Sequence, residues 1–263
     1  MKLKKSIYNV FLSLILLFLY SPIFILILNS FNASRSRTSW GGFTFKWYSL
    51  LFKNHNILSS LENTILIALV SSIIAAILGT LACVGVMKSR NFFQSLMINL
   101  NNIPMINPEI VVGISSMIFF VTIFRLTGLL KPGLLTLIIS HSTFCAPYVF
   151  LSVLPRVKKN VFSIFEAAQD LGCTPFQAFL KVILPEISQG IISGIVMSFT
   201  MSIDDFTISY FTSGSVQTLP LTIYSMTRIS ITPEINALST MFFFTILILL
   251  IIINLIDDKI EWI

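Results

Sequence analysis

Residues 166–172 read Glu-Ala-Ala-Gln-Asp-Leu-Gly, and after nine further residues positions 182–185 read Val-Ile-Leu-Pro. This polar stretch interrupts a chain of 263 residues that is 55% hydrophobic and only 11% charged, with a mean hydropathy of +0.90. A soluble domain would carry roughly a quarter charged residues. Lipid must therefore be the solvent for much of the surface, and we expect residues 166–185 to form a loop between two membrane spans.

Hydrophobic runs on both sides of this loop predict an all-α, polytopic membrane protein with six transmembrane helices. The run from Val10 to Leu28 has 19 residues, whereas the apolar region of a signal peptide has roughly 7 to 15. We therefore expect it to be a retained first span. The expected spans are Ile7–Leu28, Glu62–Met87, Ile106–Phe124, Leu134–Leu154, Ile187–Phe211 and Leu238–Ile256.

The distribution of Lys and Arg indicates which way the spans cross. Six spans put both termini on one side, and that side, which includes the loop at 155–186, carries ten Lys and Arg residues against seven on the other. Positive residues are enriched in short cytoplasmic loops. We therefore expect a multi-pass protein of the bacterial cytoplasmic (inner) membrane, with both termini and the 155–186 loop in the cytoplasm.

The third span is expected to be broken. Residues 92–124 are too many for a single crossing, and they include Pro104 and Pro108 together with the pair Asn101 and Asn102. Proline removes a backbone donor and clashes with the preceding helical turn. Irregular backbone at membrane depth is tolerated only inside protein or along water. The break is therefore predicted to face other helices or a pathway.

Several kinds of site are not indicated. The three cysteines are isolated, which predicts neither a disulfide framework nor a zinc site. No GxxxxGK phosphate loop occurs, so ATP binding by that route is excluded. His141 and Cys145 share a helix face, but two ligands are too few for a metal, and packing is the expected role. We expect no catalytic residue, no metal, no cofactor bound by this chain and no nucleic-acid partner.

Asp204 and Asp205 are the most informative polar residues in a span. An acid at the centre of a transmembrane helix costs roughly 2.5 to 3.5 kcal/mol on insertion scales, and such residues commonly mark a transport pathway. A continuous fifth span would carry the pair near the outer leaflet and give it two polar stripes about 100° apart. The stripes are Ser198, Ser202, Asp205 and Ser209, and Thr200, Asp204 and Thr207. We expect Asp204, Asp205 and Ser202 to line a wet pathway that favours cations; the alternative is acids satisfied by an Arg or by hydroxyls.

Two further residues are candidates for the same pathway. Glu109 follows Pro108 at the broken span, and it is either a second acid in the path or a carboxylate that caps the helix started by the proline. Trp47 lies in the first outer loop. Its ring either attracts a cationic solute or anchors a helix at the membrane interface, and the sequence leaves both open.

The stretch at 166–185 resembles the EAA loop, the cytoplasmic signature of importer-type ABC permeases. The match includes the Gly four residues after the second Ala and the Leu-Pro pair, while Val182 stands where that family usually has Ile. The resemblance implies a type I ABC importer permease fold and a helix pair that docks into a separate ATPase. The coupling residues it implies are Glu166, Ala167, Ala168, Gly172, Leu184 and Pro185.

Nearly the whole chain is similar to polyamine permeases of spermidine/putrescine ABC transporters. The stretches that carry the resemblance include Lys46-Trp47-Tyr48, Pro108-Glu109-Ile110-Val111, Ser202-Ile203-Asp204-Asp205 and Leu219-Pro220-Leu221-Thr222-Ile223-Tyr224. One departure is Glu109, where that family often has Asp. The resemblance implies an ABC ATPase dimer that uses ATP and Mg, a second homologous permease subunit and an extracytoplasmic polyamine-binding protein as partners.

These expectations divide the chain into three parts. Residues 1–57 form an N-terminal transmembrane helix and outer loop, residues 58–256 the permease domain with its loop at 155–186, and residues 257–263 a cytoplasmic tail. Two other functions are less well supported by the sequence. A related importer could carry another small cation, a metal or an anion, although the intramembrane acids favour a cation. An intramembrane aspartyl protease needs two converging carboxylates, whereas adjacent aspartates on a helix diverge by about 100°.

Overall fold

A computed structural model of the chain describes residues 2–34, 39–157, 161–229 and 233–260. These residues are almost entirely helical, and the only extended pairing among them is an isolated antiparallel bridge between Asn32 and Phe43. The helices are α1 Lys2–Ser30, α2 Lys46–Leu51, α3 His55–Met87, α4 Asn91–Ile106, α5 Glu109–Thr127, α6 Leu134–Val157, α7 Val161–Asp170, α8 Pro175–Ala178, α9 Leu184–Asp204, α10 Thr207–Thr212, α11 Leu219–Ile229 and α12 Pro233–Ile260. A π-helical turn, Phe179–Ile183, joins α8 to α9.

Five helices within the described residues are long and apolar enough to cross a membrane. They are Phe11–Ser30, His55–Val86, Glu109–Thr127, Leu134–Val157 and Pro175–Asp204. The sixth predicted span corresponds to α12, whose part up to Ile248 is apolar but shorter than a full crossing. Most side chains beyond that residue lie outside the described part of the chain.

The third span is broken as predicted. Helix α4 ends at Ile106, Asn107 and Pro108 have extended backbone, and α5 begins at Glu109. The Asn101 side-chain amide of α4 donates a 3.3 Å hydrogen bond to the carbonyl of Pro147 in α6, whereas residues 106–109 at the break itself are exposed. Glu109 therefore starts a transmembrane helix instead of lying within one.

The fifth span differs from the prediction. A continuous helix over Ile187–Phe211 is wrong, because α9 ends at Asp204 and α10 begins only at Thr207. Asp205 has extended backbone, with ψ of 118°. At its other end α9 continues through the π turn from Pro175, so the second helix of the 166–185 loop is not separate but is the start of the span.

Contacts divide the chain into two units, residues 1–59 with 222–255 and residues 60–221 with 256–263. In the first unit, the loop between α1 and α2 is closed by an aromatic cluster of Phe31, Phe43, Phe45 and Tyr48. The Asn32 side chain adds hydrogen bonds with the backbone of Ser34, Ser39 and Gly41. The predicted domain limits at 57 and 256 stay predictions, and residues 261–263 of the predicted tail lie outside the described residues.

The core of the second unit is the packing of α9 against α6. The face that α9 turns to α6 carries a row of small residues spaced four apart, all of them buried: Gly190, Gly194, Ser198 and Ser202. Small residues let membrane helices approach closely and so gain van der Waals contact. The approach is close enough that a Cβ on Gly190 would lie 2.9 Å from the carbonyl oxygen of Ser152 and 3.0 Å from Cα of Val153.

This packing predicts that Gly190→Ala destabilises the protein, because the atoms in its way belong to the backbone of α6 and cannot rotate aside. Overpacking of this kind costs about 1–3 kcal/mol. The control is Gly85→Ala in α3, where nothing lies within 4 Å of the added Cβ and helix propensity alone favours alanine. Thermal denaturation in detergent should give a lower midpoint for Gly190→Ala only; equal midpoints for the two variants would contradict the assigned packing.

Candidate functional site

Two of the predicted pathway acids come together from different helices. Glu109 is the first residue of α5 and Asp204 the last residue of α9, and both side chains are exposed. The charge of Glu109 influences both Asp204 and the half-buried Tyr148 of α6, which places the three groups in one region of the protein. The Glu109 side chain makes no hydrogen bond among the described residues, but it lies in the first turn of α5, where the positive end of the helix dipole favours a carboxylate, so both interpretations of Glu109 stay open. We name Glu109 and Asp204 the acid pair.

Asp205 is placed differently from its neighbour. Its side chain is buried, and its two carboxylate oxygens accept hydrogen bonds from the backbone N–H groups of Ile208, at 3.2 Å, and Ser209, at 2.8 Å. These bonds satisfy donors at the start of α10, as a capping side chain does. Direct contact of Asp205 with a solute is therefore not seen in this conformation. The acid is satisfied within the protein, but by backbone N–H groups of α10 and not by the Arg or hydroxyls of the predicted alternative.

Ser202 is likewise buried and hydrogen-bonded, to the imidazole of His141 at 2.7 Å and to the hydroxyl of Ser71 at 3.2 Å. The prediction that Ser202 and Asp205 line a wet pathway must therefore be corrected. The stripe that contains Ser198, Ser202, Asp205 and Ser209 is buried inside the protein. The second stripe, with Thr200, Asp204 and Thr207, is the more exposed one. The pathway roles of Ser202 and Asp205 stay predictions that need another conformation.

Trp47 is also buried, with 3% of its surface exposed, and its indole N–H donates a 2.8 Å hydrogen bond to the carbonyl of Asn32. Lys46 already lies over its ring, 5.7 Å from the centroid. The ring face is thus not available to a solute here. This corrects the interpretation of Trp47 as a cation contact in favour of a residue that closes the loop between α1 and α2.

The loop at 166–185 is a helix, a turn and a second helix. Gly172 has φ of +94°, a left-handed conformation that glycine adopts without strain, as the sequence predicted. The turn is closed by hydrogen bonds from Gly172 N–H to the carbonyl of Gln169 and from Cys173 N–H to that of Ala168. Thr174 and Gln177 then form a reciprocal capping box that starts α8.

The outer face of α7 carries the coupling residues implied by the resemblance. Glu166, Ala167 and Gly172 are exposed, while Phe165 is buried in the core and fixes the rotation of the helix. Sequence reasoning missed two apolar side chains on the same turn, Leu171 at 88% and Phe176 at 71% exposure. The signal in the sequence that could have identified this surface is an apolar residue, Leu171, directly before the turn glycine. Such exposure is unusual for a polar loop and is typical of a docking surface.

The Leu-Pro pair accounts for the π turn. Pro185 has no N–H and cannot make the α-helical bond to the residue four earlier. Leu184 instead donates its N–H to the carbonyl of Phe179, five residues earlier, which widens the helix by one residue. Single π turns are frequent at functional sites. Half-buried Leu184 and exposed Pro185 thus mark the junction between the loop and the span.

No group of three or more possible metal ligands occurs among the described residues. His141 and Cys145 of α6 are both buried, and each is hydrogen-bonded within the protein. The acid pair consists of two exposed carboxyl groups, a composition that favours cations over anions.

A comparison with protein-family models matches residues 72–261 to the family described as the binding-protein-dependent transport system inner membrane component. The chain belongs to this family. It is therefore a multi-pass inner-membrane protein of the ABC permease class, and the family expected from the sequence is confirmed.

Curated relatives of this family cover most of the chain. The spermidine/putrescine transport system permease protein PotC of Escherichia coli (strain K12) is 38% identical over 94% of this chain and 92% of its own length. The protein of the same name from Haemophilus influenzae is 34% identical over 95% and 96%. The putrescine transport system permease protein PotI of Escherichia coli (strain K12) is 37% identical over 85% and 81%.

Solved structures agree on the fold. A bacterial ABC transporter involved in the import of the acidic polysaccharide alginate has a chain with a TM-score of 0.74, at 16% identity over 96% of both chains. An amino acid ABC transporter has a TM-score of 0.54, at 18% identity over 82% of this chain and 99% of the other. The predicted all-α importer-permease fold is confirmed.

The placement of Trp47 generates a prediction about stability. Trp47→Phe keeps a large buried ring but leaves the Asn32 carbonyl without its donor, which should lower the free energy of unfolding by about 1 kcal/mol. Trp40→Phe is the control, because Trp40 is 59% exposed. Thermal denaturation of both variants in detergent tests this. If Trp40→Phe is the more damaging change, the assigned role of Trp47 is wrong.

Proposed function

We propose that the chain is a pore subunit of an ATP-driven importer that carries polyamines across the inner membrane. The names of the curated relatives support this cargo, and the acid pair is the single structural observation that carries it. Polyamines are flexible chains of ammonium groups. Two exposed carboxylates on separate helices would offset part of the cost of removing water from such a cation.

Fold alone cannot assign the cargo, because the structure with a TM-score of 0.74 belongs to an importer of an acidic polysaccharide. The charge along the pathway is the better guide. Acids inside a membrane protein are costly and commonly mark ion or substrate paths. Glu109 and Asp204 are exposed carboxyl groups, and acids along the path favour a cationic cargo. A small metal cation is the second candidate supported by the same charge.

An intramembrane protease is disfavoured by the same geometry. Its two carboxylates would have to share one water, whereas Asp204 is exposed and Asp205 is buried with both oxygens occupied by backbone N–H groups. The two neighbours in sequence thus point into different environments. We infer that the chain has no hydrolytic chemistry of its own and that ATP and Mg are used by a partner ATPase.

We infer three protein partners from the family. A second, homologous permease subunit would complete the pore, an ABC ATPase dimer would bind in the cytoplasm, and an extracytoplasmic polyamine-binding protein would deliver cargo. The turn at 166–185 is the surface we assign to the ATPase. Leu171 and Phe176 supply apolar contact there and Glu166 a charge. This assignment requires the loop and both termini to be cytoplasmic, in agreement with the distribution of Lys and Arg.

The acid pair generates the test of cargo. Asp204→Asn and Glu109→Gln keep size and hydrogen bonding but remove charge. A charge pair 4 Å apart at an effective dielectric of about 20 is worth roughly 4 kcal/mol before desolvation, so uptake of spermidine at low concentration should fall by an order of magnitude or more. The longer, more highly charged spermidine should be affected more than putrescine. Radiolabelled uptake in cells, normalised to protein level, measures both.

Glu186→Gln is the matched control, because Glu186 is an exposed acid at the opposite end of α9. It should transport as the wild type does. Wild-type uptake by both acid-pair variants would refute the polyamine pathway. Unchanged polyamine uptake together with reduced uptake of a divalent metal would favour the second candidate.

The turn generates the test of coupling. Glu166→Lys should abolish co-purification of the ATPase or transport-coupled hydrolysis while membrane insertion stays normal, because it reverses a charge on an exposed docking face. Leu171→Ala should weaken association in the same direction by removing apolar contact. Glu234→Lys, at the start of α12, is the control for charge reversal. Normal coupling in Glu166→Lys would rule out the assigned docking face.

A further inference from the structure

The break between α9 and α10 has one local determinant, Asp205, whose carboxylate caps the start of α10. Residues 198–211 contain no proline and no glycine, and their polar residues recur at helical spacing. Apart from this cap, the segment favours a continuous helix. A buried side chain on α6 adds contacts to both sides of the break.

That side chain is His141, which is 1% exposed and uses both ring nitrogens. Its Nδ1 lies 2.7 Å from the Ser202 hydroxyl, at the end of α9, and its Nε2 lies 3.0 Å from the Ser209 hydroxyl, in α10. Serine hydroxyls both donate and accept, so a neutral imidazole is satisfied in either tautomer. The ring therefore bridges the break, with one hydrogen bond on each side of it.

Other contacts make this bridge part of a buried network. The Asp205 carboxylate lies 3.5 Å from His141 Nε2 and accepts the backbone N–H groups that open α10. The Ser202 hydroxyl is also hydrogen-bonded to the hydroxyl of Ser71 in α3. Four helices thus meet at the break, and each member of the network has a partner on another helix or segment. Such networks define one arrangement when every member is satisfied.

The break also sets the relation between the two acids. Helix α9, which ends in Asp204, packs on α6 through its glycines. Helix α10 packs on α5, where a Cβ on Gly113 would lie 2.8 Å from the Phe211 ring and 3.3 Å from the carbonyl of Thr207. Gly113 is one turn from Glu109. The angle at the break therefore determines where Asp204 stands relative to Glu109.

We propose that His141 is a positioning residue that bridges the α9–α10 break and so fixes the geometry of the acid pair for cationic cargo. It does not touch the cargo, because it is buried. The proposal rests on the proposed function for its transport consequence. Its structural consequence, the position of residue 204, can be measured without any cargo.

The transport test uses His141→Phe in the assembled importer. Phenylalanine keeps a ring of similar volume and removes both nitrogens. We expect the spermidine concentration for half-maximal uptake to rise roughly tenfold, the factor that corresponds to about one lost buried hydrogen bond with an unsatisfied partner. The maximal rate and ATPase association should change by less than about twofold. His141→Gln, which retains one donor and one acceptor, should be intermediate.

Cys145→Ala is the matched control. Cys145 lies one turn from His141, is fully buried and makes only a weak 3.5 Å hydrogen bond from its thiol to the carbonyl of Ser198. It should leave the half-maximal concentration unchanged. An effect of equal size in Cys145→Ala and His141→Phe, or a fall in maximal rate alone, would mean that His141 is merely structural and would overturn the proposal.

The cargo-independent test measures the exposure of residue 204. Asp204→Cys is introduced into a chain whose three native cysteines are replaced, and its rate of reaction with a water-soluble thiol reagent is compared with and without His141→Phe. We expect the rate to change at least about fivefold. Equal rates would overturn the proposal. A changed labelling rate, together with no polyamine uptake by the wild-type importer, would instead refute the proposed cargo. The positioning role of His141 would then still hold.

His141→Phe could fail to accumulate, and Ser209→Ala then replaces it in both tests. That change removes only the α10 side of the bridge. It should shift the half-maximal concentration and the labelling rate in the same direction as His141→Phe, by a smaller factor. No shift in either measurement would overturn the proposal.

Discussion

The close approach of α6 and α9 is the constraint on which the rest of the structure depends. Lipid tails are as apolar as leucine, so the hydrophobic effect does not drive these helices together. Contact has to come from packing, and Gly190 and Gly194 leave room for the backbone of α6. The Ser152 hydroxyl adds a 2.8 Å hydrogen bond to the carbonyl of Gly190. This contact fixes the rotation of α9 and with it the direction of every side chain on that helix.

The end of α9 separates two adjacent acids into different environments, because Asp204 is the last helical residue and Asp205 has extended backbone. Polar groups at membrane depth must be satisfied inside the protein or by water. Asp205 lies beside His141 of α6, and its carboxylate accepts hydrogen bonds from backbone N–H groups of α10. Asp204, by contrast, stays exposed near Glu109. One residue caps a helix and its neighbour is open to a solute, although the sequence presents them as an equivalent pair.

The sequence predicted what depends on hydropathy and on backbone chemistry. Apolar runs located the spans, Pro108 located the break before α5, and Gly172 located the turn. The break after Asp204 was not predicted, because no proline or glycine marks it, the capping role of Asp205 was not recognised, and the His141 contacts come from α6. Sequence reasoning also misassigned the stripe through Ser202, since small hydroxyl residues suit both a wet wall and a tight helix contact. Burial of Trp47 was equally invisible, because its hydrogen-bond partner is a backbone carbonyl.

Helix α9 joins the two surfaces to which function has been assigned. It begins at the π turn beside the proposed docking face and ends at Asp204, and its 21 residues span about 30 Å. No break interrupts it between those points. A π turn is a weak point in a helix, whereas the glycine contact with α6 holds the body of α9 along its length. Displacement of the turn would therefore bend the junction at Phe179–Ile183 or move α9 and α6 together. Only the joint movement of α9 and α6 changes the position of Asp204 relative to Glu109. The stiffness of the α6–α9 contact therefore decides whether force at the turn reaches the acid pair.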